Sequence, residues 1–515
     1  MKERSRTEYA MLNILTGIGG YAFNTVLGFV CRMVFVRCLA QEYLGISGLF
    51  TNILSMLSLA ELGIGSAIVY ALYKPLAEND EDKVASLVDF YRKAYMVIGI
   101  FIGIVGLFLM PFIKSIVGTY TFKEKIYVIY LMYLFSSVIS YFFSYRSSLL
   151  QAAQKQYIVS GINYLITILQ SFFQIVFLII TKEYIYYLII QIIGVIINNI
   201  VVSHVAVKQY PYIKQKNIKK ISKNEIKSIS KNVWYLLTNK LSSLLLSSTD
   251  NIITSYFQGI ITVGMASNYI LLTTTLNSLL NQLFNGLTGS VGNYNVLNDS
   301  NETKKLFYYF NFANFWIFGY ACMGILFVSN DIITLCFGKE YLLPMSIPII
   351  LTINFFIIGM MNSVWIFKSA LGQFKYGRYI VLLTGILNIV FSIILGKYMG
   401  LFGIYLATVI SRLLTNAWYE PYALFKYSLK CNPLEYFVRY FKYIIIFIIT
   451  AIINYIVYIQ IDISVITNLI LHIISCTIIT NGIFYILFKN KEEFIFFKEK
   501  ALQIVYILKN KFKFL

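Results

Sequence analysis

The chain has 515 residues, of which 58% are hydrophobic and only 13% are charged. Soluble proteins carry about 25% charged residues, and apolar runs of about 18 or more residues recur along the whole length, so the composition excludes a soluble globular protein and predicts an all-α polytopic membrane protein. The net charge of +20 lies mostly in loops on one side of the predicted membrane, which argues against nucleic acid as a partner and for membrane lipid.

The apolar runs predict about fourteen membrane-spanning helices. The first run extends to about Val36, which is too long for a signal peptide, and we interpret it as a retained first span. A count of twelve follows if the last pair of runs is misread. In chain order, the predicted spans lie near 13–37, 44–72, 94–113, 127–149, 157–181, 184–207, 233–257, 264–288, 307–328, 345–367, 377–396, 401–424, 443–460 and 464–488.

Lysine and arginine are distributed unevenly between the connections. Most of the 43 basic residues lie in alternate loops and in the two terminal segments. Because basic loops remain in the cytoplasm, we expect both termini to be cytoplasmic and the chain to be a multi-pass protein of the cytoplasmic (inner) membrane.

A basic loop at 208–231 divides the spans into two groups of six, followed by one more pair. The loop is either a solvated linker that fixes topology or an amphipathic segment that binds lipid or a partner. The predicted organisation is an N-lobe (1–207, spans 1–6), the linker (208–231), a C-lobe (232–425, spans 7–12), spans 13–14 (426–488) and a basic cytoplasmic tail (489–515).

The two groups of spans resemble each other at one constant offset along the chain. Gly45 matches Gly264, and much further on Gln154 matches Gln373. Two weak matches at the same offset favour two six-helix bundles arranged as parallel repeats, as in some transporters. Chance similarity among apolar helices is the alternative.

Polar residues inside the spans follow helical spacing. In span 7 they form a stripe of Lys240, Ser243, Ser247, Asp250 and Thr254, beside Asn251, and span 1 carries Asn24, Thr25 and Arg32. Other candidates are Ser58 and Glu61 in span 2, Arg146 near the end of span 4, Asn277 in span 8 and Arg412 near the middle of span 12. A charge at mid-bilayer costs at least about 2.5–3.5 kcal/mol, so these residues predict a polar cavity.

Structural roles compete with the cavity. Small and hydroxyl residues also favour helix packing, Arg146 could snorkel to the interface, and Arg32 could form an internal salt bridge with Asp250. The six cysteines are scattered without a CxxC pair, and the sequence contains no P-loop, HExxH or catalytic triad. We therefore expect no metal or organic cofactor and no enzymatic activity, with H⁺ or Na⁺ as the candidate coupling ion.

Two segments resemble a known family. "STDNIITSYFQGIITVGMASNY" (248–269) and "RSSLLQAAQKQY" (146–157), with the span count and the basic central loop, are similar to the polysaccharide transporter family. These are Wzx-type oligosaccharide flippases of the multidrug/oligosaccharidyl-lipid/polysaccharide (MOP) exporter superfamily. The resemblance implies a MATE-like, V-shaped pair of pseudo-symmetric six-helix bundles with two additional C-terminal helices.

The family also implies a substrate and roles for residues. The expected substrate is a polyprenyl (undecaprenyl) diphosphate-linked oligosaccharide, moved by alternating access for capsule, O-antigen or exopolysaccharide assembly. The resemblance assigns substrate binding to the cavity cations, coupling or gating to Asp250 and Glu61, and a lipid-tail groove to spans 13–14. The cations are Arg32, Lys240, Arg412 and Arg146. A glycan polymerase or glycosyltransferases of the same pathway are candidate partners.

Three alternatives remain. A multidrug/cation antiporter of the same superfamily typically has twelve spans and an acidic cavity. A lipid II flippase is expected to carry a dense arginine cluster in span 1, where this chain has only Arg32. A membrane-embedded glycosyltransferase or polymerase needs a large extramembrane loop with catalytic carboxylates.

Overall fold

The computed structural model describes residues 6–58, 64–118, 122–214, 248–285, 300–371 and 377–511. The chain divides into two compact units. The first unit contains Met1–Ser267 and Val381–Ile404, and the second contains Asn268–Ile380 and Tyr405–Leu515.

The helices up to the start of the second unit are long and mostly follow the predicted spans. They are α1 (Arg6–Cys38), α2 (Gln41–Leu57), α3 (Ile64–Ala77), α4 (Glu81–Val117), α5 (Ile126–Ala152), α6 (Gln156–Thr181), α7 (Tyr184–Gln209), α8 (Thr249–Gln258) and α9 (Ile260–Asn285), with a 3₁₀ turn at Pro211–Lys214. The last of these, α9, continues into the second unit.

The remaining helices include the C-terminal pair and a helix in the predicted tail. They are α10 (Ser300–Phe337), α11 (Ser346–Ala370), α12 (Arg378–Leu414), α13 (Asn416–Ala423), α14 (Leu434–Tyr458), α15 (Val465–Phe488) and α16 (Glu492–Lys511). A 3₁₀ turn lies at Lys339–Tyr341, and a π-helical turn at Leu424–Ser428.

Local chemistry explains several helix ends. Asp80 caps α4 by accepting a hydrogen bond from the backbone N–H of Lys83 at 3.0 Å, and Ser464 caps α15 in the same way through Thr467. Such caps satisfy backbone donors that have no partner within the helix.

Inside α12, Gly400 has φ +58°, a conformation that glycine adopts without steric cost. The chain therefore turns there, and predicted spans 11 and 12 form one kinked element.

The described residues contain ten helical segments long and apolar enough to cross a membrane, and one of them, Tyr379–Ser428, includes both spans 11 and 12. The prediction of an all-α multi-pass membrane protein is confirmed. The count of fourteen stays a prediction. Span 2, predicted as one helix, falls on α2 and α3, because α2 ends at Leu57 and α3 begins at Ile64.

The second unit has an aromatic core where α10 packs against α11 and α15. The ring of Phe315 stacks on Tyr443 of α14, with centroids 4.2 Å apart, and also contacts Phe484 of α15. Stacked aromatic pairs stabilise a packed core beyond the area they bury. The C-terminal pair of helices is therefore part of this core.

Candidate functional site

Two glycines meet where α2 crosses α9. A Cβ atom on Gly45 would overlap the carbonyl oxygen of Ile260, and one on Gly264 would lie 3.0 Å from the backbone nitrogen of Gly45. Only residues without a side chain allow two helix backbones to approach so closely. These two glycines are also the residues that the proposed repeat aligns with each other.

Polar side chains surround the same crossing at Gly48, one turn further along α2. A Cβ on Gly48 would lie 3.8 Å from Asn251 Nδ2 and 3.9 Å from Ser267 Cβ. Arg32 of α1 donates a hydrogen bond from Nη2 to the Ser267 hydroxyl. We call Arg32, Asn251 and Ser267 the Arg32 cluster. It brings together α1, α8 and α9 beside α2, inside the first unit.

The short helix α8 is polar and buried. Thr249, Asp250, Asn251, Thr254 and Ser255 are all buried, and Asp250 is only 9% exposed. Ser255 donates to the carbonyl oxygen of Ile116 in α4 at 2.8 Å. Asp250 lies in the first helical turn, where the helix dipole favours a carboxylate. Asp250 and Thr254 of the predicted stripe thus lie inside protein, away from lipid.

Four predicted residues lie outside the described part of the chain, and Ser58 makes a local contact. Lys240, Ser243, Ser247 and Glu61 are outside the described residues. The Ser58 hydroxyl donates to the carbonyl of Ser55 at 2.6 Å, so it is used within α2 itself. Asn24 and Thr25 are half-buried on α1, and Asn24 Oδ1 is buried without a hydrogen bond to any described residue.

Arg146 fastens two helices of the first unit together. Its Nη1 donates to the buried Ser203 hydroxyl of α7, and its guanidinium lies 5.2 Å from the centre of the Tyr145 ring. Sequence alone identified the arginine but not its partner, because the contact joins α5 to α7. This geometry supplies a structural role, and the assignment of Arg146 to substrate binding stays a prediction.

Arg412 and Asn277 belong to the second unit. Arg412 lies in the last turn of α12, which ends at Leu414, and within the candidate membrane-spanning segment Tyr379–Ser428. The helix ends there because the backbone at Thr415, with φ of −129° and ψ of −96°, interrupts it before α13. Asn277 is half-buried on α9, and its Oδ1 makes no hydrogen bond with the described residues.

Sequence reasoning missed a buried ion pair between α11 and α13. Lys368 Nζ contacts Glu420 Oε2, and the two residues are only 9% and 3% exposed. Lys368 lies just beyond the predicted end of span 10, where lysine is expected at the membrane surface. Glu420 lies inside predicted span 12, so its charge was the signal that could have found the pair.

A second polar pair, of a buried histidine and a half-buried aspartate, joins α10 to α15. His472 Nδ1 lies 2.6 Å from Asp331 Oδ2, and the Tyr458 ring packs on the imidazole with centroids 4.4 Å apart. His472 is buried and contacts Asp331, which gives it a structural role. Asp331 lies just beyond the predicted end of span 9, where a charged residue does not by itself indicate burial.

Comparison with solved structures defines the class of fold. The fold is similar to the lipid II flippase MurJ in an inward closed conformation, with 19% identity, a TM-score of 0.65, and coverage of 93% of this chain and 99% of that one. An inward-facing multidrug resistance MATE transporter of the MOP superfamily gives 14% identity, a TM-score of 0.60, and coverage of 76% and 91%. This chain therefore has the fold of MOP superfamily transporters.

The family follows from the sequence. A family model described as "Polysaccharide biosynthesis protein" matches residues 11–287, more than half of the chain. The chain belongs to this family. A comparison with curated proteins found no significant match.

Proposed function

We propose that this protein is a flippase that moves a polyprenyl-diphosphate-linked oligosaccharide across the cytoplasmic membrane for surface polysaccharide assembly. The family and the fold support a membrane transporter of this superfamily. The observation that carries the substrate proposal is the position of Arg32, a guanidinium held among helices by the Ser267 hydroxyl. Arginine presents paired N–H donors that match phosphate oxygens.

The Arg32 cluster suggests how substrate could open the crossing. The neutral hydroxyl of Ser267 accepts from Arg32 in this structure. A diphosphate oxygen is the stronger acceptor, because it is itself charged and can accept two parallel N–H bonds from the guanidinium, whereas the hydroxyl accepts one. We infer that the diphosphate takes Arg32 from Ser267 and so loosens α9 from α1. Alternating access then requires α2 and α9 to separate at Gly45 and Gly264.

Coupling is proposed to act through Asp250. Its carboxylate is buried one residue before Asn251 of the Arg32 cluster, so a bound H⁺ or Na⁺ would change the charge beside the substrate site. The further cavity cations of the proposal are Lys240, Arg412 and Arg146. Glu61 is proposed as a second coupling carboxylate. The proposal also includes the two six-helix lobes and a cytoplasmic position for both termini.

A lipid II flippase is the second candidate, because the similarity to MurJ extends over 93% of this chain. The two cargos can be compared directly in proteoliposomes that contain either lipid II or a lipid-linked oligosaccharide repeat unit. Transport of the repeat unit alone supports the proposal. Transport of lipid II alone assigns the second candidate, and proton-driven efflux of cationic drugs assigns an antiporter.

Replacement of Arg32 by Ala, or of Arg412 by Ala, is expected to reduce glycan export at least tenfold. A hydrogen bond to a charged group is worth about 1.5–3 kcal/mol, which corresponds to roughly 10–150-fold. Surface polysaccharide and membrane insertion are measured together. Arg92→Ala, which removes an exposed arginine paired with Asp89, is the control and should export normally. Normal surface polysaccharide in both test variants would rule out the cavity assignment.

Asp250→Asn is expected to abolish transport driven by an ion gradient while leaving the protein inserted. The amide has nearly the same shape as the carboxylate but cannot exchange a proton or bind Na⁺ as an anion. The measurement compares proteoliposomes with and without imposed proton and sodium gradients. If the variant responds to the gradients as the wild type does, Asp250 is a structural residue of α8 and not the coupling site.

A further inference from the structure

A cavity of about 640 Å³ opens where α14, α15 and the start of α16 meet α10 in the second unit. Apolar residues of α10, α14 and α15 line it together with five charged residues, Glu435, Arg439, Lys442, Lys491 and Glu493. The lining combines apolar side chains with charged ones. This mixture is typical of a site for an amphiphile.

Most charged residues around the cavity form ion pairs, and two lysines do not. Glu435 accepts from Lys304 at 2.6 Å, and Glu493 forms an ion pair with Arg439. Lys442 and Lys491 form no ion pair with any described residue, and both are exposed. Each carboxylate of the cavity is thus neutralised by a neighbouring cation, and the excess positive charge belongs to these two lysines. Such a site favours an anion.

The apolar part of the cavity begins beside the lysines. On α14, Val438, Lys442 and Ile446 follow a spacing of four and share one face. Across from them, Leu487 and Phe488 form the last turn of α15, three or four residues before Lys491. An anionic group at the lysines would therefore have an apolar wall next to it, which suits an acyl chain attached to that group.

We propose that this cavity binds an anionic glycerophospholipid, with its phosphate at Lys442 and Lys491 and an acyl chain against Ile446 and Leu487. The distribution of basic loops predicts that these helix ends face the cytoplasm, where the leaflet contains anionic lipids. Basic pockets between membrane helices on that side suit such head groups. The proposal does not depend on the transported substrate.

The C-terminal helix α16 contributes Glu493 to the lining and is held beside the site by several contacts. Besides the Glu493–Arg439 ion pair, Glu492 pairs with Lys305 at 2.5 Å, and Phe496 stacks on Tyr309 with ring centroids 4.4 Å apart. Hydrogen bonds from Lys305 and Tyr309 hold the pKa of the Glu492 carboxyl below its usual range. A bound lipid would contact α14, α15 and α16 together and stabilise the docking of α16.

The test is native mass spectrometry of the purified full-length protein, titrated in detergent with phosphatidylglycerol or with phosphatidylcholine of the same acyl chains. Wild type should bind one phosphatidylglycerol preferentially. A lysine near an anionic lipid contributes about 1 kcal/mol, so Lys442→Gln/Lys491→Gln should weaken that binding roughly thirtyfold. Lys442→Arg/Lys491→Arg should retain it, because the charge remains.

The matched control is Lys489→Gln/Lys498→Gln, which removes the same charge from exposed positions of the same segment that do not line the cavity. This variant should bind like the wild type. Equal binding of the two lipids, or an equal loss in the control variant, would overturn the proposal. A third titration uses inorganic phosphate at millimolar concentration. Displacement of the lipid by free phosphate at that level would instead assign a site for a soluble anion.

Discussion

A disulfide between Gly48→Cys and Ser267→Cys is expected to stop transport completely, and a reductant is expected to restore it. The two Cβ positions lie 3.9 Å apart across the contact of α2 with α9, within the range that disulfides require. Because the proposed cycle separates these helices, a covalent link should hold the protein in one state. The measurement is glycan transport before and after reduction. The extent of cross-linking is followed by the change in mass when the two cysteine-containing fragments are joined.

The cross-link needs three controls. The natural cysteines, Cys31 among them, must first be replaced in a background that still transports. Each single-cysteine variant should be insensitive to oxidation, and Ser267→Cys alone reports the loss of the Arg32 partner. Full transport by a completely cross-linked protein would show that α2 and α9 stay together throughout the cycle.

Breaking the buried Lys368–Glu420 pair is expected to destabilise the protein by about 3–5 kcal/mol, because Lys368→Met leaves the Glu420 carboxylate buried without its cation. The double variant Lys368→Met/Glu420→Gln removes both charges and should recover most of this loss. Thermal and denaturant unfolding in detergent measure the effect.

An exposed ion pair of the same chemistry provides the comparison. Lys123 and Glu183 lie 2.6 Å apart with side chains 69% and 36% exposed, and solvent screens such pairs. Lys123→Met should leave the unfolding transition unchanged. Equal stability of Lys368→Met and the wild type would mean that the Glu420 carboxyl is neutral or finds another partner.

The sequence predicted the class of fold because long apolar runs have few other uses. It did not predict where helices bend or stop inside those runs. Spans 11 and 12 join at Gly400, whose left-handed φ is a property of the backbone. The interruption at Thr415 ends α12 just after Arg412, and it too is a property of the backbone, with φ of −129° and ψ of −96°. The predicted tail contains α16, because its Phe side chains have aromatic partners on α10.

The residues of the candidate site could be found from the sequence more easily than their contacts. Periodicity identified Arg32, Asp250 and Asn251 as polar residues on helices. In the structure Asp250 and Asn251 are buried, and their roles stay predictions. Pairings such as Arg32 with Ser267, Arg146 with Ser203 and Lys368 with Glu420 join residues distant in sequence. A single sequence contains no information on such distances, so these contacts required the fold.

The glycine crossing has a consequence for the energetics of the transport cycle. Lipid tails are as apolar as the helices, so contact between membrane helices is held by backbone packing and not by a hydrophobic driving force. The closed form at Gly45 and Gly264 therefore draws its stability from the fit of two backbones. A leucine at either glycine would push the backbones apart and favour the separated form, and a ligand can reverse the equilibrium only through its own preference between the two forms.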